Sequence, residues 1–212
     1  MHLLICYNSL MNLFWVSKRY DSEKNGSILC LKYFNSWSVL VDGYYQTSPY
    51  TNRMWRRALK RLPTGTKVKK ILVLGLGAGG IIPILNSSYP HCAVTAIEWD
   101  PVMIGLASEL GYITPTHRPK IIEGDAQIIV PNLLDKFDLI IIDLFLGNKA
   151  PQMLSDSEFL RSLDSLLAPS GHLIVNVFLA KDLLSVFESA FKYLASWVFK
   201  YNQLALYQKE KK

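Results

Sequence analysis

From Lys70 to the C-terminus, short apolar runs alternate with segments whose apolar residues recur at helical spacing. This is the pattern of a mainly parallel sheet covered on both faces. The runs predict strands at Ile71–Leu74, Val94–Glu98, Lys120–Glu123, Leu139–Asp143 and His172–Phe178. Between them the spacing predicts helices near Ile81–Asn86, Pro101–Leu110 and Asp156–Ala168. A further helix over Ala180–Leu194 places Leu183, Leu184, Phe187, Phe191 and Leu194 on one face. Trp197–Tyr201, a turn at Asn202-Gln203 and Leu204–Gln208 then read as an antiparallel hairpin. Local chemistry marks several boundaries. Asp100-Pro101 is an N-cap followed by proline at the first helical position. Ser155 and Glu158 have capping-box spacing, and Pro169-Ser170-Gly171 closes that helix. Pro83 is tolerated if its helix begins near Gly79 or Gly80.

The first part of the chain has a different rhythm. Asn12–Tyr20, Ser27–Phe34 and Trp37–Val41 read as a β-meander, with a polar turn at Asp21–Gly26, a second at Asn35-Ser36, and Asp42-Gly43 ending the run. A helical pattern from Thr51 to Leu62 follows, closed by Pro63-Thr64-Gly65. Met1–Val16 is apolar, yet it lacks a basic leading region and a small-residue cleavage site, so it reads as strand material rather than a signal peptide. It is also shorter than the roughly 20 apolar residues that span a bilayer, and no membrane partner is expected.

Composition narrows the class. Of 212 residues, 50% are hydrophobic and 19% charged, a globular balance that excludes a disordered chain. The three cysteines, Cys6, Cys30 and Cys92, form no C-x-x-C pair, and the four histidines are scattered. A disulfide framework and a metal site are therefore not expected, and a reducing cytoplasm is the simplest compartment. The net charge of +6 is concentrated. Arg53, Arg56, Arg57, Lys60, Arg61, Lys67, Lys69 and Lys70 follow one another with no acidic residue between. Such a run could attract nucleic acid, but a solvated helix face is favoured because aromatic residues are sparse there.

Candidate chemistry gathers at the predicted strand ends. Ile71-Leu-Val-Leu-Gly75-Leu-Gly77-Ala-Gly79-Gly80 runs a buried strand into a glycine-rich turn and then a helix. Glycine there lets a ligand approach the backbone without meeting a Cβ. Gly75, Gly77 and Gly80 also satisfy the G-x-G-x-x-G spacing of dinucleotide sites. Glu98, at the next strand end and about 20 residues on, can accept hydrogen bonds from both hydroxyls of a ribose. As a carboxylate beside a cleft it is expected to be dispensable for folding. Asp100 reads as the helix cap. Asp125, in Glu123-Gly-Asp125-Ala126, can accept from an adenine amino group or cap the next helix. Asp143 ends the apolar strand Leu139-Ile-Ile-Ile-Asp143. Ligands of open α/β sheets bind beyond these carboxyl ends.

On these motifs the chain resembles the spermidine-synthase-like branch of the class I S-adenosylmethionine-dependent methyltransferase superfamily. The resemblance runs from about Trp37 to Val177 and includes Val41-Asp-Gly-Tyr-Tyr-Gln46, the glycine-rich turn, Ile97-Glu-Trp-Asp-Pro101, Gly124-Asp-Ala126, and Asp143 followed by Phe159-Leu160 and Gly171. It implies an α/β, Rossmann-like, mainly parallel sheet with a small N-terminal β-meander. The meander would occupy residues 1–50 and the S-adenosylmethionine-binding unit residues 51–212. The matching nucleoside contacts are Gln46, Gly75, Gly77, Glu98, Asp125 and Ala126, with Gly79 in the same turn. Asp143 matches a position by the reaction centre that orients or deprotonates an attacking amine. The implied donor is S-adenosylmethionine or its decarboxylated form, the acceptor a small molecule, and a homodimer is compatible with the resemblance.

Two departures bear on the reaction. Aminopropyltransferases carry an acidic residue where this chain has Ala78, and a second aspartate where it has Leu146. Loss of the acid at 78 removes a repulsion against the carboxylate of ordinary S-adenosylmethionine. The expected activity is therefore methyl transfer. An aminopropyltransferase, a nicotinamide-dependent oxidoreductase and a nucleoside-binding scaffold without turnover are the competing readings.

Overall fold

The computed structural model describes residues 15–115, 119–145, 149–177, 180, 182–200 and 202–210. It contains two sheets. The first is an antiparallel meander of β1 (Trp15–Ser22), β2 (Gly26–Tyr33), β3 (Ser36–Val41) and β4 (Tyr44–Thr47), in that order. Ile28 and Cys30 on β2, with Val39 and Val41 on β3, point one way and are buried against Met103, Leu106 and Leu110. This period-2 alternation seats one sheet face on the rest of the protein. Of the predicted first strand, residues 12–14 lie outside the described residues, as does most of the segment up to Val16.

β4 is an addition to the sequence reading, which ended the meander at Asp42-Gly43. Both of these residues have positive φ, 48° and 80°, and so make the two-residue turn whose twist suits a hairpin. The chain returns as β4, with Val41 opposite Tyr44, and delivers Gln46. The helix that follows, α1 (Pro49–Leu59), starts earlier than the apolar spacing predicts. Ser48 accepts from the Thr51 backbone N–H at 3.1 Å, and the Ser48 N–H donates to Thr51 Oγ1 at 2.8 Å, with Pro49 at the first position.

The second sheet is built from β5 (Lys70–Leu74), β6 (Ala93–Glu98), β7 (Lys120–Glu123), β8 (Phe137–Ile142), β9 (Leu167–Asn176), β10 (Lys192–Phe199) and β11 (Asn202–Gln208). Their order across the sheet is β10-β11-β9-β8-β5-β6-β7. β5 to β9 run parallel, and β11 is antiparallel to both its neighbours. Alternate residues feed opposite layers. Leu72, Leu74, Ile140 and Ile142 pack with α4 (Ala126–Ile129), α5 (Ser157–Leu166) and α6 (Asp182–Glu188). Ile71, Val73, Leu139 and Ile141 pack with α1 and α2 (Ile82–Ser88). α3 (Pro101–Glu109) lies beneath the meander. Coverage on both faces is why these strands read as nearly continuous apolar runs.

Four predicted boundaries change. The helix expected over Ala180–Leu194 stops at Glu188, and Lys192 already pairs with Gln208 in the terminal hairpin. Leu183 and Phe187 are buried on one side of the sheet whereas Leu194 packs on the other, so they cannot share a helix face. Asn202-Gln203 belong to β11, and the turn comes earlier, at Lys200 with φ 45°. The cap of α5 is Asp156, whose carboxylate accepts from the Glu158 N–H at 2.8 Å, rather than Ser155. That helix ends at Leu166 because Leu167 enters β9 opposite Phe137. Pro83 stands in the first turn of α2, which begins at Ile82 rather than at Gly79 or Gly80.

The basic run occupies the exposed face of α1 and the loop after it. The guanidinium carbon of Arg61 lies 5.0 Å from the Trp197 ring centre, that of Arg57 lies 5.9 Å from Phe199, and Lys70 pairs with Asp135 at 2.7 Å. Long basic stems thus cover aromatic surface of β10. Among the described residues no helix is long and apolar enough to cross a membrane.

Candidate active site

The chain leaves β5 toward β6 on one side and returns as β8 on the other, so the switch point of the sheet lies at the carboxyl end of β5. Hydrogen bonds extend the strand register into the loops there. Gly75 N–H donates to Ile97 O at 3.0 Å, Gly124 N–H to Glu98 O at 2.9 Å, and Asp143 N–H to Leu74 O at 2.9 Å. Four consecutive strand ends are thereby held level around a cavity of about 280 Å³. That is near the lower end of the roughly 300–1,000 Å³ of small-molecule sites.

The wall includes Gln46, Gly75, Gly77, Glu98, Asp125, Ala126 and Asp143. The structure therefore brings seven of the eight sequence candidates together. Gly79 does not line the cavity. A Cβ there would lie 2.7 Å from that of Ala107, so this glycine lets the turn pack on α3. Gly77 has φ 53°, and a Cβ added to it would meet nothing within 4 Å. Its backbone is open to close approach, the requirement of a nucleoside lying across the turn. Gly75 serves another purpose, because its missing Cβ makes room for the Asp143 carbonyl.

Glu98 is only 7% exposed. Its Oε2 accepts from Gly77 N–H at 2.7 Å, and its Oε1 from the Trp99 and Asp100 N–H groups at 3.0 and 3.1 Å. Burial pushes its pKa up, while these three donors pull it down. The carboxylate is thus part of the turn's own scaffold, contrary to the expectation that folding would not depend on it. Asp100 is fully buried and caps α3 through the Val102 N–H at 2.8 Å. It also accepts from Ser22 Oγ at 2.6 Å and Asn25 Nδ2 at 2.5 Å, which ties the meander to the sheet. Asp125 caps α4 through the Gln127 N–H at 2.8 Å and also lines the cavity.

Asp143 accepts from Asn176 Nδ2 at 2.8 Å and from the Trp55 indole N–H. Burial outweighs these donors and pushes its carboxyl up to about 6. At neutral pH it is mostly ionised, yet near enough to neutrality to exchange a proton with a bound amine. Asn25, Trp99, Phe145, Gln152 and Met153 complete much of the wall and were not foreseen, nor was Asn176 behind it. Trp99 stands inside the Ile97–Pro101 motif, while the others come from turns, a neighbouring strand and a short 3₁₀ segment, which carry no motif. Among the described lining residues Glu98, Asp125 and Asp143 are acidic and none is Lys, Arg or His, although the whole chain is basic.

Comparison with known proteins agrees with this geometry. No family model matches the chain. It is 33% identical over 131 residues to a polyamine aminopropyltransferase of Vibrio vulnificus, a match covering 60% of this chain and 44% of that protein. It is 27% identical over 118 residues to an eEF1A lysine and N-terminal methyltransferase homolog of Drosophila melanogaster, covering 51% of this chain and 18% of that one. The chain thus spans less than half of either curated relative. Among solved structures, a probable spermidine synthase from Corynebacterium glutamicum superposes with a TM-score of 0.77 at 21% identity, over 92% of this chain and 81% of that one. Class I methyltransferases share the fold as well. The spermidine-synthase-like resemblance and the α/β fold expected from the sequence are both matched.

Proposed function

We propose that this spermidine-synthase-like chain binds S-adenosylmethionine, or its decarboxylated form, in the cavity at the ends of β5 to β8 and transfers a group from it to an acceptor. Methyl transfer is the reading we favour. The observation that carries the proposal is the convergence of the Gly75–Gly77 turn, Glu98, Asp125 and Asp143 on one cavity whose described wall has carboxylates and no cationic side chain. A positively charged sulfonium suits that wall. Such a donor supplies a carbon already activated toward a nucleophile. The protein's task is then mainly alignment. Glu98 has three of its roughly four lone-pair sites engaged by backbone. It accepts one ribose hydroxyl directly, and a second by sharing the site of the Gly77 bond. Gln46, Gly75, Asp125 and Ala126 hold the rest of the nucleoside. Asp143 orients the acceptor and takes a proton from it.

Aminopropyl transfer is the second reading. The Vibrio vulnificus relative and the carboxylate-rich wall, which suits a polyamine, support it. The residues that favour methyl transfer are Ala78 and Leu146. Ala78 is fully buried among Ile28, Val39, Met103 and Leu106, so its side chain does not face the cavity. Leu146 lies outside the described residues. Incubation with decarboxylated donor and putrescine separates the two. Methyl transfer predicts no spermidine above a no-enzyme control, whereas enzyme-dependent spermidine formation overturns it in favour of the second reading.

The acceptor we propose is a small molecule. The α1 basic face is read as a solvated surface whose arginines lie on Phe199 and Trp197. Nucleic acid, a homodimer and a cytoplasmic location remain compatible with the chain and are not part of the proposal.

A further inference from the structure

Behind Asp143 runs a line of amides that no sequence motif marks. Asn176, at the end of β9, is 2% exposed. A buried amide is costly unless its groups are paired. Its Nδ2 donates to Asp143 Oδ1 at 2.8 Å, and its Oδ1 accepts from Asn202 Nδ2 at 3.2 Å. Asn202 Oδ1 lies 3.3 Å from the Tyr50 hydroxyl, whose single proton goes to the Phe199 carbonyl. Both amide donors in this line point toward Asp143. A carboxylate must be met by donors, which fixes the amide of Asn176, and its oxygen then requires the donor that Asn202 supplies. Aligned bonds of this kind polarise one another. From the other side α1 contributes a second donor, the Trp55 indole.

We infer that Asn176, backed by Asn202 and assisted by Trp55, is a positioning residue that holds the Asp143 carboxylate in place and in its ionised form. The groups facing Asp143 are Asn176 from β9, Trp55 from α1, Gln46 from β4, and Glu98 and Asp125 across the cavity. No described lining residue is cationic, so neutral donors alone oppose the burial that favours the protonated acid. If these donors are removed, Asp143 becomes a neutral acid near pH 7 and cannot accept a proton. This consequence for catalysis rests on the proposed function. The hydrogen-bond line itself does not.

The Trp55 indole provides a readout that needs no acceptor. In a ¹H–¹⁵N spectrum its Nε1–H resonance, assigned by its loss in Trp55→Phe, should titrate with a midpoint near pH 6, the value to which Asp143 is pushed. In Asn176→Ala the midpoint should rise by about one unit, a roughly tenfold smaller ionised-to-neutral ratio at a given pH. Asn202→Ala should move it less and in the same direction, and serves if the Asn176 variant does not fold. S-adenosylmethionine binding by calorimetry should change less than about threefold in either variant, because neither residue lines the nucleoside end. A midpoint unmoved in a folded variant overturns the inference. A wild-type protein that binds no nucleoside, but whose indole midpoint still moves, overturns the function and supports the positioning role.

Discussion

Gly75→Val is expected to lower the unfolding free energy by about 3–5 kcal/mol. Gly75 has φ 85°, and an added Cβ would sit 2.3 Å from the Asp143 carbonyl oxygen and 2.9 Å from its carbon. Both are backbone atoms, locked by the Asp143–Leu74 and Gly75–Ile97 hydrogen bonds, so they cannot swing aside. The left-handed conformation alone costs a side chain about 1–2 kcal/mol. Separating the two strand ends adds the loss of a ladder bond, about 1 kcal/mol, and packing at the rim. Gly77→Ala is the control. It meets no atom within 4 Å and suffers only the conformational strain. Urea unfolding of the two variants measures the difference. Equal midpoints for Gly75→Val and wild type would mean that the strand ends are not held in this close approach.

Glu98→Ala should reduce S-adenosylmethionine affinity by on the order of 30- to 1,000-fold, the loss of up to two charge-assisted hydrogen bonds worth roughly 2–4 kcal/mol together. The fold will not be indifferent. Removing the carboxylate strands the Gly77, Trp99 and Asp100 N–H groups that it now receives. Stability should therefore drop by about 1–3 kcal/mol as well. Glu98→Gln separates the two effects, since it keeps the shape and one acceptor oxygen while deleting the charge. Binding measured well below the unfolding midpoint of each variant checks the claim. An alanine variant that binds as tightly as the parent removes Glu98 from the site.

Much of this site could be read from the chain because its parts are local. The glycine-rich turn, Glu98, Asp125 and Asp143 each end an apolar strand, and parallel strands in register bring such ends to one rim without further information. Gln46 was legible only through the family resemblance, because β4 was missed. The Asp42-Gly43 turn that launches β4 is nonetheless a strong hairpin signal. The start of α1 at Ser48-Pro49 carried an equally local signal. Other features depend on partners distant in sequence. Leu194 fits a helical face on paper, and only the pairing of its neighbours Tyr193 and Ala195 with β11 places it in a strand, at a bulge. Asn176 looks like an ordinary polar residue at a strand end until β8 and β11 bring Asp143 and Asn202 to it. The bracing of the turn by Glu98 arises because β6 runs beside β5.

The proposed function requires that the cavity take a sulfonium nucleoside. Isothermal titration calorimetry of the wild-type protein against S-adenosylmethionine, its decarboxylated form, methylthioadenosine and NAD tests it most directly. Saturable binding of S-adenosylmethionine or its decarboxylated form is expected, with weaker binding of methylthioadenosine, which lacks the sulfonium charge, and none of NAD at the same concentrations. Binding of NAD in preference to both sulfonium nucleosides, or no binding of any adenosine compound by folded protein, would contradict it.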